Sequence, residues 1–341
     1  MKLFVYEYIT SGALAEQSLP KSLAHEGDEM LSAIIRDCNE SPSFSISMIR
    51  DIRLAELDVI NNNSRHHCHF VSTVDEHQAR WQQCLDEAEA VLIIAPETDG
   101  ILSNLHRQAL VKNKVILGCH VPAIETTSNK LTCYQQLKKH DIAVADTYLA
   151  SDVTNIQFTS DTPYLAKPID GAGCLDTYLF DTVKELDRYL LALSDIEQEQ
   201  IIIQPYINGI SASLSLLFSD IDVTVLSINE QQIELENNKL TFIACHVNGI
   251  IEATFSYAQA YKLARQVQDA IPGLWGLIGI DFIITENSAV IVDINPRVTT
   301  AYIDLKSTLQ TNPMDLLLQI YEDVQIASSF PIKKQMICLT L

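Results

Sequence analysis

Three oxygen-bearing side chains near the end of the chain have types and spacing suited to binding a divalent metal. Asp281 lies in one apolar segment, Asp293 and Asn295 end the next, and the two aspartates are 12 positions apart. An antiparallel hairpin of these segments would place the aspartates opposite each other, where they would repel unless a cation neutralised them. Carboxylate and amide oxygens suit Mg²⁺, and Mn²⁺ accepts the same ligands. The spacing predicts a metal site, although a hairpin with solvated acids at its ends would have the same spacing.

Arg297 follows the last of these ligands by two positions and is a candidate catalytic residue. A guanidinium presents a fixed fork of N–H donors that matches the oxygens of a phosphoryl group. Beside a bound metal, it would stabilise the charge that moves during phosphoryl transfer. The carboxyl-terminal motif therefore predicts phosphoryl chemistry.

A lysine followed by glycines forms the second motif. Lys167 ends the apolar segment 164–167, and Gly171 and Gly173 follow it. Glycines allow backbone N–H groups to approach phosphate oxygens closely, so we predict that Lys167 holds a nucleotide and that the glycines form a phosphate loop. A plain surface turn would have the same composition. Its place after Lys130 and before the next motif favours the nucleotide site.

The third motif is a short segment that could recognise adenine through its backbone. An apolar segment leads into Gln204, Pro205, Tyr206 and Ile207. Pro205 has no N–H and can only offer its carbonyl, whereas Ile207 can donate. We predict that these four residues form a hinge that holds adenine.

The elements that must position these motifs indicate an α/β protein with α+β lobes. Predicted strands at 3–8, 45–49, 90–95 and 115–117 alternate with helical segments, which indicates a doubly wound parallel sheet. The later strands are predicted at 147–149, 164–167, 177–180, 201–204, 213–218, 223–229, 240–246, 278–285 and 289–294. We predict three units, at 1–125, 126–205 and 206–341.

Composition excludes several classes of partner. The formal net charge of −21 would repel nucleic acid and anionic membrane surfaces. No apolar stretch is long enough to cross a bilayer, and Glu7 interrupts the first apolar segment too early for a signal peptide. We therefore expect a cytoplasmic protein with reduced cysteines. His66, His67, Cys68 and His69 are adjacent in sequence, and we expect a solvated loop there rather than a metal site.

Taken in order, the motifs from about residue 129 to 302 resemble the ATP-grasp superfamily, and in particular its carboxylate–amine ligases. The resemblance implies an ATP-grasp fold behind an amino-terminal pre-ATP-grasp domain, with ATP and Mg²⁺ as cofactors and a small carboxylate and an amine as substrates. It assigns the phosphates to Lys130 and Lys167, adenine to 204–207, the metal to Asp281, Asp293 and Asn295, and the acyl phosphate to Arg297. Many relatives carry an acidic residue for the ribose where this chain has Ser211 and Ser213.

A narrower resemblance covers nearly the whole chain. Residues 4–12, Glu26, Gly27 and Met30, together with 293–302, are similar to the tyramine:glutamate ligase family of methanofuran biosynthesis. That resemblance implies joining the γ-carboxylate of glutamate to an aromatic amine such as tyramine or tyrosine, in one-carbon metabolism. The candidate substrate residues are Glu7, Thr10, Ser11, Glu26 and Thr299, with Asn229 and Gln231 as weaker candidates. Helix capping or solvent exposure explains the amino-terminal candidates equally well, and a homodimer is left open.

Three other functions differ in the motifs that they would require. An amino acid or dipeptide ligase of the D-alanine:D-alanine type would keep the same fold and motifs. A non-catalytic nucleotide-binding protein would keep the fold but has no need for both metal acids and Arg297. A Rossmann dehydrogenase would require Gly-x-Gly-x-x-Gly after the first strand, which Thr10, Ser11 and Gly12 do not provide.

Overall fold

A five-stranded parallel sheet forms the amino-terminal part of the protein. The computed structural model describes residues 1–60, 65–155, 158, 162–171, 174–324, 326 and 337–340. The strands are β1 (Lys2–Glu7), β2 (Ser45–Asp51), β3 (His67–Val71), β4 (Ala90–Ile94) and β5 (Val115–Ile116), in the order β3-β2-β1-β4-β5. The helices between them are α1 (Lys21–Glu40), α2 (Val74–Glu87) and α3 (Ile101–Val111).

Alternating side chains of β1 pack against helices on opposite faces of this sheet. Leu3 and Val5 belong to the apolar cluster that contains α1, whereas Phe4 and Tyr6 belong to the cluster that contains α2 and α3. A strand that is apolar on both faces must be covered twice, as in doubly wound sheets. The structure confirms the predicted parallel sheet.

The histidine-rich segment is a strand and not the loop that we predicted. His67–Val71 forms β3 at the edge of the sheet, paired in parallel with β2. The preceding His66 is buried, accepts a hydrogen bond from the Ile46 N–H (3.1 Å) and contacts the Asn39 side chain (2.7 Å). An edge strand exposes part of its polar side chains, so its composition resembles that of a loop.

A second, ten-stranded sheet forms the remainder of the fold. Its path is β14-β13-β10-β11-β12-β8-β7-β9-β6, with β15 paired to β12. The strands are β6 (Tyr148–Leu149), β7 (Tyr164–Pro168), β8 (Tyr178–Phe180), β9 (Ile201–Pro205), β10 (Ile210–Phe218), β11 (Val223–Glu236), β12 (Lys239–Val247), β13 (Gly276–Ile284), β14 (Ala289–Asn295) and β15 (Ile337–Thr340). The helices are α4 (Val121–Ser128), α5 (Lys130–Lys139), α6 (Val183–Leu191), α7 (Asp195–Gln198), α8 (Tyr257–Ala270), α9 (Leu305–Leu309) and α10 (Pro313–Tyr321).

The apolar clusters show which parts of the fold share a hydrophobic core. One cluster contains Leu31 and Leu92 of the first unit together with Leu217 and Leu277 of the second sheet and Leu305 of α9. Strands β7 to β9 have a separate cluster, and β8 pairs with β12 where Lys239 lies opposite Tyr178. The first unit and the larger half of the second sheet therefore share a core, while the smaller half has a core of its own. The unit boundaries at 125 and 205 remain predictions.

Helices that could span a bilayer were sought throughout the described residues. Every helix found there is too short or too polar to do so.

The end of β1 is held by a carboxylate beneath α1. Glu7 is buried and accepts hydrogen bonds from the Thr10 N–H (2.7 Å), the Thr10 hydroxyl (2.6 Å) and the Ile9 N–H (3.2 Å). Gly27 of α1 lies directly over it, and a Cβ at this position would be 2.7 Å from Glu7 Cδ. Loss of hydration raises the pKa of Glu7 to about 7, although these donors oppose the shift. A side chain at position 27 would meet a carboxylate that has little room to move.

We expect Gly27→Ala to destabilise the protein. Alanine in a helix normally stabilises by about 0.4–1 kcal/mol, but overpacking against Glu7 costs about 1–3 kcal/mol. Urea denaturation should show a net loss, whereas Ser22→Ala on the exposed side of α1 should change the unfolding free energy by less than about 0.5 kcal/mol. Stabilisation by Gly27→Ala would contradict this description of the packing.

Candidate functional site

The β13–β14 hairpin brings the predicted metal ligands together. Asp281 lies directly opposite Asp293, and Gly279 lies opposite Asn295. The Asn295 side-chain amide donates to Asp281 Oδ2 (3.0 Å), and the Gln231 side-chain amide donates to Asp281 Oδ1 (2.9 Å). The three predicted ligands therefore lie in one place, with Gln231 of β11 orienting one of them. Their role in binding a metal remains a prediction.

The electrostatics of this group are compatible with a hard divalent cation. Loss of hydration, together with the neighbouring charge of Asp293, raises the pKa of Asp281 to about 6. Asp293 in turn pairs with the ammonium of Lys130 (3.0 Å). Within the described ranges, no group of three His, Cys, Asp or Glu side chains could hold a metal. The set fits a Mg²⁺ ion held by two carboxylates and an amide, with phosphate oxygens and water completing its coordination.

The two predicted phosphate-binding lysines line the same cleft. The cleft has a volume of about 680 Å³ and is lined by Lys130, Lys167, Asp281 and Asp293 among others. Lys130 is the first residue of α5, and the side chain of the preceding Asn129 caps the helix. Burial opposes the charge of Lys130, but Asp293 outweighs it and raises the pKa of this amine. The Lys130 ammonium thus stays charged at the end of the cleft that holds the aspartates.

Lys167 reaches the cleft from β7. Its ammonium lies 3.4 Å from the carbonyl of Val292. Loss of hydration, together with the neighbouring charge of Lys130, lowers the pKa of Lys167 to about 8. An anion bound beside both lysines would relieve their mutual repulsion.

The predicted phosphate loop is described only in part. Gly171 lines the cleft, and its carbonyl accepts a hydrogen bond from the Lys130 ammonium. Gly173 lies outside the described residues. The contact at Gly171 places the start of the loop beside the two lysines.

The predicted adenine segment forms another wall of the cleft. Gln204, Pro205, Tyr206 and Ile207 all line it, together with apolar side chains such as Leu165. The Gln204 amide donates to the hydroxyl of Thr147 (2.8 Å), and the Tyr206 N–H donates to the carbonyl of Pro163 (2.8 Å). These bonds hold the segment in place and leave Ile207 as the predicted backbone donor.

The polar residues suggested for the ribose differ in their surroundings. Ser211 lines the cleft. The hydroxyl of Ser213 accepts a hydrogen bond from the Asn229 amide (3.2 Å), and both residues are buried. Asn229 therefore supports the sheet, and Ser211 is the serine that a ligand in the cleft could reach.

Arg297 is held by a carboxylate that sequence reasoning missed. Its Nε donates to Glu97 Oε1 (2.9 Å), its Nη2 to Glu97 Oε2 (3.3 Å) and its Nη1 to the carbonyl of Val298 (3.2 Å). Burial opposes the charge on this guanidinium, but Glu97 outweighs it and raises the pKa. Glu97 follows β4, and the carboxyl ends of parallel strands are where ligands usually approach, a signal that could have found it.

The amino-terminal substrate candidates fall into two groups. Glu7, Thr10 and Ser11 are buried, and Glu7 bonds with Thr10. The Ser11 hydroxyl donates to the carbonyl of Tyr8 (2.9 Å), and its oxygen lies 3.0 Å from Tyr6 Oη. In this conformation the side chains of this first group stabilise the loop after β1.

The second group lies closer to the predicted chemistry. Glu26 accepts a hydrogen bond from the Thr300 hydroxyl, and its charge acts on Arg297. The preceding residue, Thr299, packs its methyl group towards Gly279 of β13. The structure therefore brings Glu26 and Thr299 near the carboxyl-terminal motif.

Known proteins share this arrangement of domains. The model of the ATP-grasp domain matches residues 127–301, and that of the pre ATP-grasp 3 domain matches residues 44–124. Tyramine–L-glutamate ligase from Methanocaldococcus jannaschii is 30% identical over 67% of this chain and 60% of its own length. The enzyme of the same name from Methanocaldococcus fervens is 28% identical over 65% of this chain and 63% of its own. The matched segment thus spans less than two thirds of these relatives.

Solved structures agree on the fold. An ATP-grasp superfamily protein from Archaeoglobus fulgidus has a TM-score of 0.69 at 23% identity, covering 93% of this chain and 88% of its own. The biotin carboxylase domain of 2-oxoglutarate carboxylase from Hydrogenobacter thermophilus, in complex with MgADP, ADP and bicarbonate, has a TM-score of 0.68 at 14% identity, covering 95% and 70%. With the ATP-grasp domain matched across 127–301, a range that contains Arg297 as well as the lysines and aspartates of the cleft, the chain belongs to the ATP-grasp family.

Proposed function

We propose that the protein is an ATP-dependent, ADP-forming ligase that joins a carboxylate to an amine through an acyl phosphate. The observation that carries this proposal is the single cleft in which Lys130 and Lys167 face Asp281 and Asp293. Cations suited to a triphosphate and carboxylates suited to its metal are both needed for phosphoryl transfer from MgATP. The cofactors of the proposal are ATP and Mg²⁺, with Mn²⁺ as a substitute.

Each residue of the cleft has a role in the proposed reaction. Mg²⁺ held by Asp281, Asp293 and Asn295 would neutralise charge on the phosphates. Lys130 and Lys167 would bind the phosphate oxygens and align the nucleotide, and residues 204–207 would hold adenine. Alignment of the reactants contributes much of the rate in such reactions.

The reaction proceeds in two transfers without a covalent enzyme intermediate. A carboxylate oxygen of the acid attacks the γ-phosphorus, and the bond to ADP breaks. The amine then attacks the carbonyl carbon of the acyl phosphate, loses a proton, and phosphate leaves. Arg297 would stabilise the negative charge of the phosphoryl group in both transfers. The loop at Gly171 and Gly173 would exclude water, which would otherwise hydrolyse the acyl phosphate.

For the substrates, we propose the γ-carboxylate of glutamate and an aromatic amine such as tyramine or tyrosine. The relatives named tyramine–L-glutamate ligase support this choice, as does the position of Glu26 and Thr299 beside the carboxyl-terminal motif. We further propose that the enzyme is cytoplasmic and acts on small molecules in methanofuran-type cofactor synthesis and one-carbon metabolism. It would work as a monomer or homodimer.

Turnover with defined substrates tests the proposed reaction. Incubation with ATP, Mg²⁺, L-glutamate and tyramine or tyrosine should release ADP and give a γ-glutamyl amide detectable by mass spectrometry. A panel of amino acids and dipeptides covers the alternative ligase activities. ADP release that needs neither acid nor amine would rule out the ligase.

Removing one metal carboxylate should abolish turnover. Asp293→Asn removes a charge from the predicted metal site and the partner of Lys130, so we expect kcat to fall by at least about 100-fold. The melting temperature should show that the variant remains folded. As a control, Asp146→Asn removes a surface carboxylate bonded to Lys138 (3.1 Å) and should leave kcat unchanged. Full activity of Asp293→Asn would show that the metal site lies elsewhere.

Nucleotide affinity should depend on the charge of Lys167. Because its pKa is lowered to about 8, the free enzyme loses this cation as pH rises through 8. Calorimetry should show the affinity for MgADP falling by up to about tenfold per pH unit above pH 8. Lys167→Met should bind weakly at pH 7 and show no such dependence. A flat profile for the unmodified protein between pH 7 and 9.5 would argue against Lys167 as a phosphate ligand.

A further inference from the structure

One turn of the first unit contacts both Arg297 and Asp170, the residue before Gly171 of the cleft. This turn, Glu97 to Asp99, follows β4 and precedes α3. Glu97 bonds with Arg297, while the Asp99 N–H donates to Asp170 Oδ2 (2.9 Å) and the Thr98 hydroxyl lies 3.4 Å from the Asp170 carbonyl. Asp170 immediately precedes Gly171, whose carbonyl accepts from Lys130. The turn therefore connects the arginine with the start of the phosphate loop.

The geometry at Arg297 fixes the plane of its guanidinium. Glu97 accepts from Nε and Nη2 with both carboxylate oxygens, and the carbonyl of Val298 accepts from Nη1. A guanidinium has five N–H groups, so these three bonds leave one on Nη1 and one on Nη2 for a ligand. Glu97 and Arg297 are only 5% and 15% exposed, which limits alternative orientations. Both oxygens of Glu97 are already engaged, so it supports the arginine rather than binding a substrate.

The surrounding core makes this support rigid. Val298, directly after Arg297, belongs to the apolar cluster that also contains Leu92 and Ile94 of β4. The two partners of the ion pair are thus attached to elements that share one core. A displacement of about 1 Å in a reacting group can lower a rate by about a hundredfold.

We propose that the turn 97–99 is the contribution of the first unit to phosphoryl transfer, with Glu97 as a positioning residue for Arg297 and Asp170 as the anchor of the phosphate loop. The catalytic consequence rests on the proposed ligase function. Loss of the Glu97 charge releases the guanidinium and slows the transfer step, while nucleotide binding at the lysines is maintained. Loss of the Asp170 side chain removes the bond to Asp99, displaces the neighbouring Gly171 and weakens nucleotide binding.

The first test separates positioning from simple structural support. Glu97→Gln should lower kcat by about 10- to 100-fold with the KM for ATP within twofold, and Glu97→Asp, which keeps the charge, should recover part of the loss. In an Arg297→Lys background, Glu97→Gln should cost little more, because the two residues act as a unit. Additive losses in the double variant, or an unchanged kcat for Glu97→Gln, would overturn the proposal.

A buried ion pair elsewhere in the same unit provides the matched control. Arg50 donates to both oxygens of Asp28 (2.7 and 2.9 Å), and Arg50 is 1% exposed. Asp28→Asn should lower the melting temperature without changing kcat. A fall in kcat equal to that of Glu97→Gln would mean that any buried pair of this unit has the same effect, which would contradict the proposal.

A binding measurement tests Glu97 without any turnover. Aluminium fluoride beside MgADP mimics the transferring phosphoryl group and should bind more tightly than MgADP alone. Glu97→Gln should lose most of this additional affinity but keep the affinity for MgADP, whereas Asp170→Ala should raise the Kd for MgADP several-fold. If no acid and amine are ligated, the ligase proposal fails while this result still decides the role of Glu97. If aluminium fluoride increased the affinity for MgADP as much in Glu97→Gln as in the unmodified protein, that role would be refuted.

Discussion

The electrostatic conflict between two facing aspartates is the constraint on which the cleft depends. Asp281 and Asp293 lie opposite each other on β13 and β14, and Lys130 pairs with Asp293. The raised pKa of Asp281 reflects lost hydration and the neighbouring charge. Amide donors from Asn295 and Gln231 hold Asp281 in its place despite this cost. The pairing of Asp293 with Lys130 offsets part of the repulsion between the aspartates, and the divalent cation that we propose for this site would offset the rest.

The residues that line the cleft come from two halves of the second sheet, which have separate apolar cores. The aspartates and Arg297 belong to the larger half of the second sheet, which shares its core with the first unit. Lys167 belongs to β7 in the smaller half, which has its own core and meets the larger half where β8 pairs with β12. Lys130 connects the two parts, because its backbone N–H donates to the carbonyl of Ile169 (2.9 Å) while its ammonium pairs with Asp293. A nucleotide bound between the two halves of the sheet would add contacts that connect them.

Buried polar residues at the end of β1 show that chemical type does not define a substrate site. Glu7, Thr10 and Ser11 have side chains that could contact an amino acid, yet their hydrogen bonds are made within the loop. A buried carboxylate must find donors, and the backbone N–H groups after a strand are the nearest available. Glu26 differs because its contact reaches Thr300, near the carboxyl-terminal motif. Proximity to Thr300 and Arg297 therefore distinguishes Glu26 from the other amino-terminal candidates.

Features that depend on residues close together in the chain were predictable from the sequence. Alternating apolar segments indicated the parallel sheet, and two segments joined by a short turn placed Asp281 opposite Asp293, because a hairpin fixes its own pairing. The sequence did not reveal β3, whose polar edge resembles a loop, nor the bonds of Gln231 to Asp281 and of Glu97 to Arg297, whose partners are 50 and 200 positions apart. Hydrophobic patterns report which residues are buried but not which distant residues they meet. Only the packing of the first unit against the second sheet decided that Glu97 would hold Arg297.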